Sequence, residues 1–81
     1  MKLINSSIWR SDFLTTIEKR FGMRIRELRM LQEISQEELA WRCQLSKNYV
    51  SDVERGRRNV SLKAIEKFAK GLDVKLEDLF R

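Results

Sequence analysis

Ser35 and Ser46 each open a helix too short to stand on its own, and that pairing limits what the rest of the chain can be. In Ser35-Gln36-Glu37-Glu38 the serine hydroxyl can accept from the Glu38 amide while the Glu38 carboxylate reaches back, a reciprocal capping box. The helix that follows turns Leu39, Ala40 and Cys43 inward and ends near Gln44. Ser46 caps a second helix, Lys47 to Glu54, with Val50 and Val53 on its inner side. Gly56 suits the left-handed position just past its end. Helices of about eight residues are marginal in water, so a larger helical frame must hold both.

The remaining sequence supplies such a frame. Proline is absent, glycine occurs three times, and unbranched helix formers dominate. No stretch alternates apolar and polar residues in the manner of a strand. The chain reads as all-α, a compact five-helix domain spanning 1–81, whose first twelve or so residues carry no periodic pattern and form a loosely held arm. From Asp12, apolar residues recur at Phe13, Ile17, Phe21, Ile25, Leu28 and Leu31, which marks a first helix at about 13–32. Ser11, Asp12 or Thr15 can cap it, the last with Glu18 three residues on. Gly22 inside it costs about 1 kcal/mol against alanine, which suits a place where another helix crosses closely. Ser61 opens a fourth helix with Leu62, Ile65, Phe68 and Ala69 inward and Gly71 as its stop. Leu72 and Val74 lead into a last helical turn, Lys75 to Phe80.

Charge and missing residue types narrow the function. The net charge is +5, and the surplus sits mid-chain, where Arg42, Lys47, Arg55, Arg57 and Arg58 face only Asp52 and Glu54. A surplus of this kind attracts polyanions. Histidine is absent, and no glycine-rich phosphate loop, nucleophile elbow or paired metal-ligand spacing occurs, so neither an enzyme nor a cofactor or metal is expected. The single cysteine, Cys43, lies on an inward face and reads as core. A lone thiol fits a reducing cytoplasm, and no apolar run approaches the roughly 20 residues of a membrane span. No membrane partner and no small-molecule substrate are expected.

Two short helices joined by a tight turn have a well-defined use as a helix-turn-helix, the first resting on the DNA backbone and the second lying in the major groove. In that geometry Lys47, Asn48, Ser51, Asp52 and Arg55 point outward from the second helix, and such side chains bond base edges or phosphates. The stretch SQEELAWRCQLSKNYVSDVERGRRNVSLKAIEKFAKGLDV resembles the lambda-repressor-like, Cro-like helix-turn-helix family (XRE type). Within it, NYVSDVERGRRNVSL and LEDLF are most similar to restriction–modification controller proteins, although small phage and plasmid repressors share most of these residues. The resemblance implies a sequence-specific transcription regulator that binds double-stranded DNA. Gln36 then matches a phosphate contact at a helix start, and Lys47, Asn48, Ser51 and Asp52 match base-reading positions. Tyr49, Arg57, Arg58 and Asn59 match backbone or base contacts, and Arg29 and Glu54 match a buried salt bridge. Gln44 departs from the family's usual turn glycine, which points to a strained or reshaped turn.

One reading helix buries too little to be specific, so a homodimer on a palindromic operator is expected. Leu72, Leu76, Leu79 and Phe80 offer the apolar surface for its two-fold interface. Trp41 points away from Leu39 and Cys43 and is expected to be partly exposed, or packed against the arm or Trp9. The alternatives are a phage- or plasmid-type repressor and an antitoxin that binds a toxin protein. The antitoxin would wrap its partner with a disordered tail; none follows Phe80, and the arm is the segment that could serve.

Overall fold

A computed structural model of the chain describes residues 15–81. The expected arm at 1–12, the caps Ser11 and Asp12, Trp9 and Phe13 lie outside the described residues. Helix α1 covers Ile17–Leu31, α2 Gln36–Cys43, α3 Lys47–Glu54 and α4 Leu62–Leu72, and a 3-10 helix covers Leu76–Phe80. Among the described residues there are therefore four α-helices rather than five. The last turn is wound tighter, with the Asp78 amide bonded to the Lys75 carbonyl at 3.0 Å. This 3-10 helix is five residues long and follows a left-handed Asp73.

Each α-helix start is set by a short polar side chain. Thr16 rather than Thr15 caps α1, its Oγ1 accepting from the Lys19 amide at 3.1 Å. Ser35, Ser46 and Ser61 cap α2, α3 and α4 by accepting from the amides of Glu38, Tyr49 and Ala64. At Ser35 the reciprocal arm of the expected box goes elsewhere, since the Glu38 carboxylate accepts from Arg42 Nε at 3.1 Å. Gln44 ends α2 in the left-handed conformation at φ 56°, ψ 45°, so the turn keeps its ordinary shape without a glycine.

α1 packs across α3, α2 pairs with both α3 and α4, and the 3-10 helix closes the base against α1 and α4. Phe68, Ile25, Leu39, Leu72, Leu79, Val50 and Val53 form the fully buried centre. The Phe21 ring meets Phe68 edge-on at 6.0 Å between centroids and Phe80 at 5.7 Å. Two crossings are close enough to exclude a side chain. A methyl group on Gly22 would lie 3.0 Å from the Glu54 carbonyl oxygen, and one on Gly71 would meet Cys43 Sγ and lie 3.2 Å from the Cys43 nitrogen. Gly71 is thus a packing residue, and α4 runs through it to end at Asp73, whose φ is 56°.

Other expectations are corrected by where the helices stop. Leu72 and Leu79 are 0 % exposed and belong to the core of this protomer, so neither is free for a two-fold interface. Leu62, expected inward, is 85 % exposed, and Ile17 and Leu31 also face outward. All three sit at the first or last position of a helix, beyond the reach of the helix it packs on. Long polar side chains tie the frame at its edges: Arg24 Nε donates to the Asp78 carbonyl at 2.7 Å, and Gln32 Nε2 to the Leu72 carbonyl at 2.7 Å. Among the described residues no helix is long and apolar enough to cross a membrane.

Candidate nucleic-acid interface

α3 is held by its inner side and left open on its outer one. Val50 and Val53 are buried, whereas Lys47 and Asn48 at its first turn are exposed. Ser51 and Asp52 are half-buried one turn further on. The helix ends in a Schellman motif: the Gly56 amide donates to the Val53 carbonyl and the Arg57 amide to the Asp52 carbonyl, both at 2.9 Å. This motif requires a positive φ, 76° at Gly56. A Cβ there would also lie 2.9 Å from Lys19 Cα, so the position demands glycine twice over. The turn folds Arg57, Arg58 and Asn59 back beside the helix, all of them exposed, as is Arg55.

The outer surface is organised by contacts between its own members. The Arg58 guanidinium carbon stands 5.1 Å from the centre of the Tyr49 ring, and Arg58 Nε lies 3.4 Å from Asp52 Oδ2. Tyr49 is half-buried, its ring stacked on Phe68 with centroids 6.5 Å apart and planes inclined by 19°. At the other end, Gln36 Nε2 donates to Glu54 Oε1 at 2.9 Å, joining the start of α2 to the end of α3. An amide nitrogen has two hydrogens, so Gln36 keeps one to give outward.

Beneath this surface Arg29 and Glu54 form a two-point pair, with Nε to Oε2 at 2.7 Å and Nη2 to Oε1 at 3.0 Å. Their side chains are 14 % and 4 % exposed. The Glu54 hydrogen bond, and then its charge, hold the Arg29 pKa above its ordinary value despite the opposing effect of burial. Arg29 Nη1 also donates to the Ile34 carbonyl at 2.9 Å, so one guanidinium fixes α1, the α1–α2 turn and α3 together. Cys43 is buried beside Gly71, and burial pushes its thiol up to about 11, with the Arg42 charge opposing.

The DNA-contact candidates singled out from the sequence thus fall on α3, the loop after it and the start of α2. Leu76 and Phe80 lie elsewhere, with Leu62 and Ile65 along a shallow apolar groove. One cation escaped the sequence reading: Lys19 is exposed and its backbone abuts Gly56, which sets it beside the basic loop. The signal was Gly22, one turn later on the same face of α1. Trp41 is exposed on the outer side of α2.

Comparison with known proteins agrees with this geometry. A helix-turn-helix family model matches residues 25–79. The control protein C.BamHI of Bacillus amyloliquefaciens is 50 % identical over 60 residues, which is 73 % of this chain and 74 % of that protein. The control protein C.MunI of a Mycoplasma species is 40 % identical over 68 residues, 83 % of this chain and 92 % of that one. The crystal structure of the restriction-modification controller protein C.AhdI from Aeromonas hydrophila superposes with a TM-score of 0.79 at 47 % identity, covering 82 % of this chain and 100 % of that chain.

Proposed function

Because the chain belongs to the helix-turn-helix family of XRE-type transcription regulators, and is a DNA-binding regulator rather than an enzyme, we propose that it acts as a restriction–modification controller protein, binding a palindromic operator as a homodimer in the cytoplasm. In this reading α3 enters the major groove with its N-terminal end towards the bases. Lys47, Asn48 and Ser51 meet base edges, and Arg55, Arg57, Arg58, Asn59 and Tyr49 meet the backbone or the bases that flank it. Gln36 and the amides that open α2 meet a phosphate. The whole chain, 1–81, serves as one DNA-binding domain.

The observation that carries the reading is the polarity of α3. Its valines are sealed in the core while Lys47 and Asn48 open its free end beside the Arg55–Asn59 loop. A helix needed only for packing has no reason to present that end. Selection of bound sequences from a random duplex pool tests it. The expected product is an inverted repeat with half-sites about 34 Å apart, one helical turn. On that site Asn48→Ala lowers affinity by roughly 5- to 150-fold, the equivalent of about 1–3 kcal/mol, and leaves a scrambled duplex nearly unaffected. Arg57→Ala weakens both alike, as a backbone contact should. A pool that returns no common sequence overturns the proposal.

A further inference from the structure

The interaction between Asp52 and Arg58 has a consequence for how the bases are read, which rests on α3 lying in the major groove. We propose that Asp52 is a positioning residue: it contacts no base, and it holds Arg58 over α3 until DNA offers that guanidinium a better partner. Three observations fix the arrangement. Asp52 and Tyr49 are three residues apart and share a face of α3. The Asp52 carbonyl accepts from Arg57, which brings the next residue back over the helix, and the Asp52 carboxylate then lies 3.4 Å from Arg58 Nε. The Tyr49 ring, backed by Phe68, supplies a fixed platform 5.1 Å from the same guanidinium.

Both partners are partly open to water, at 50 % for the Arg58 side chain and 32 % for Asp52. Such a pair is weak enough to exchange for another acceptor. On a guanine, Arg58 gains two bonds from O6 and N7 while its plane stays on Tyr49. On an arbitrary sequence it gains at most a phosphate and leaves a bare carboxylate facing a polyanion, a penalty that is the same everywhere. Arg58 therefore stays with Asp52 on non-specific DNA and contributes no net charge there. The acid thus denies wrong sites a phosphate contact from Arg58, and on the right site it is displaced by the guanine.

The test is a set of four proteins, wild type, Asp52→Asn, Arg58→Ala and the double variant, titrated with the selected and a scrambled duplex over a range of salt. All four keep the Asp52 backbone carbonyl that ends α3. Asp52→Asn should raise affinity for the scrambled duplex about fivefold at physiological salt and steepen its log–log salt slope by about 0.9, one extra phosphate neutralised. Affinity for the selected site should rise by more, because there the variant has neither a pair to break nor a bare carboxylate beside phosphate, so discrimination rises. With Arg58→Ala already present, the same substitution should leave discrimination unchanged. An equal effect in both backgrounds overturns the proposal, because Asp52 would then act on DNA directly. So does a loss on the selected site confined to one base pair, which would make Asp52 a base reader. If wild type itself shows no preference between the duplexes, the regulator reading falls as well, and the two failures are told apart.

Discussion

Arg29 Nε, Arg29 Nη2 and Gln36 Nε2 all donate to the Glu54 carboxylate, so one acid at the end of α3 carries contacts from α1 and α2. Removing it by Glu54→Ala leaves the enclosed Arg29 charge without its counter-ion, a change that typically costs about 3–5 kcal/mol. Urea unfolding should show that loss, and replacing both members, Arg29→Met with Glu54→Leu, should destabilise less than Glu54→Ala alone. Cys43 makes a prediction in pH. Its thiol pKa is raised by burial from 9.0 to about 11, so the folded protein holds that proton more tightly than the unfolded chain. The resulting stability is whole below pH 9 and is lost as pH climbs through about 11, on the order of 2–3 kcal/mol in all. Unfolding of wild type and Cys43→Ala across this range should show the extra downward slope only in wild type.

Between residue and fold, the ends of the elements decide most. Gln44 holds a left-handed conformation that costs a non-glycine residue about 1–2 kcal/mol, of which glycine's greater freedom in the unfolded chain takes back roughly 0.5–1. Gln44→Gly should therefore raise stability modestly, by about 0.5–1 kcal/mol, seen as a higher thermal midpoint. Gly71→Ala should do the reverse. Helix propensity favours alanine by about 1 kcal/mol, but the new methyl meets Cys43 Sγ and backbone of α2, and overpacking of this sort costs about 1–3 kcal/mol. The same distinction separates what could be read from the sequence from what could not. The caps at Ser35, Ser46 and Ser61 and the inner side of α3 were legible, because a cap is a bond over three residues and a buried side is a local period. Whether Leu62 is covered, or Gly71 stops a helix or packs within one, depends on where a neighbouring helix ends. The Asp52–Arg58 and Gln36–Glu54 contacts were hidden for a related reason. A long polar side chain has many partners within reach, and only the folded loop selects one.

For the whole molecule, the question is how a domain with a single exposed reading helix gains enough contact to choose a site. Two copies double the base contacts without any new reading element, provided a face remains for them to share. With Leu72 and Leu79 taken by the core, the exposed apolar residues that the proposed homodimer could share there are Leu76, Phe80 and Leu62, along a groove that Ile65 also lines. Phe80 also packs on Phe21, so altering it would damage the fold. Leu62 and Leu76 are exposed and contribute little inside the protomer, which makes them the informative positions. In the homodimer proposed above, the double variant Leu62→Lys, Leu76→Lys should fold, sediment as a monomer at concentrations where wild type is dimeric, and bind a single half-site as wild type does. Its affinity for the full palindrome should fall by roughly 10²- to 10⁴-fold, the advantage that linking two modest contacts confers. A variant that still sediments as a dimer would mean the two-fold axis lies elsewhere. A monomeric variant with undiminished affinity for the palindrome would mean that pairing of copies is not the source of specificity, and that α3 with its basic loop reads the site alone.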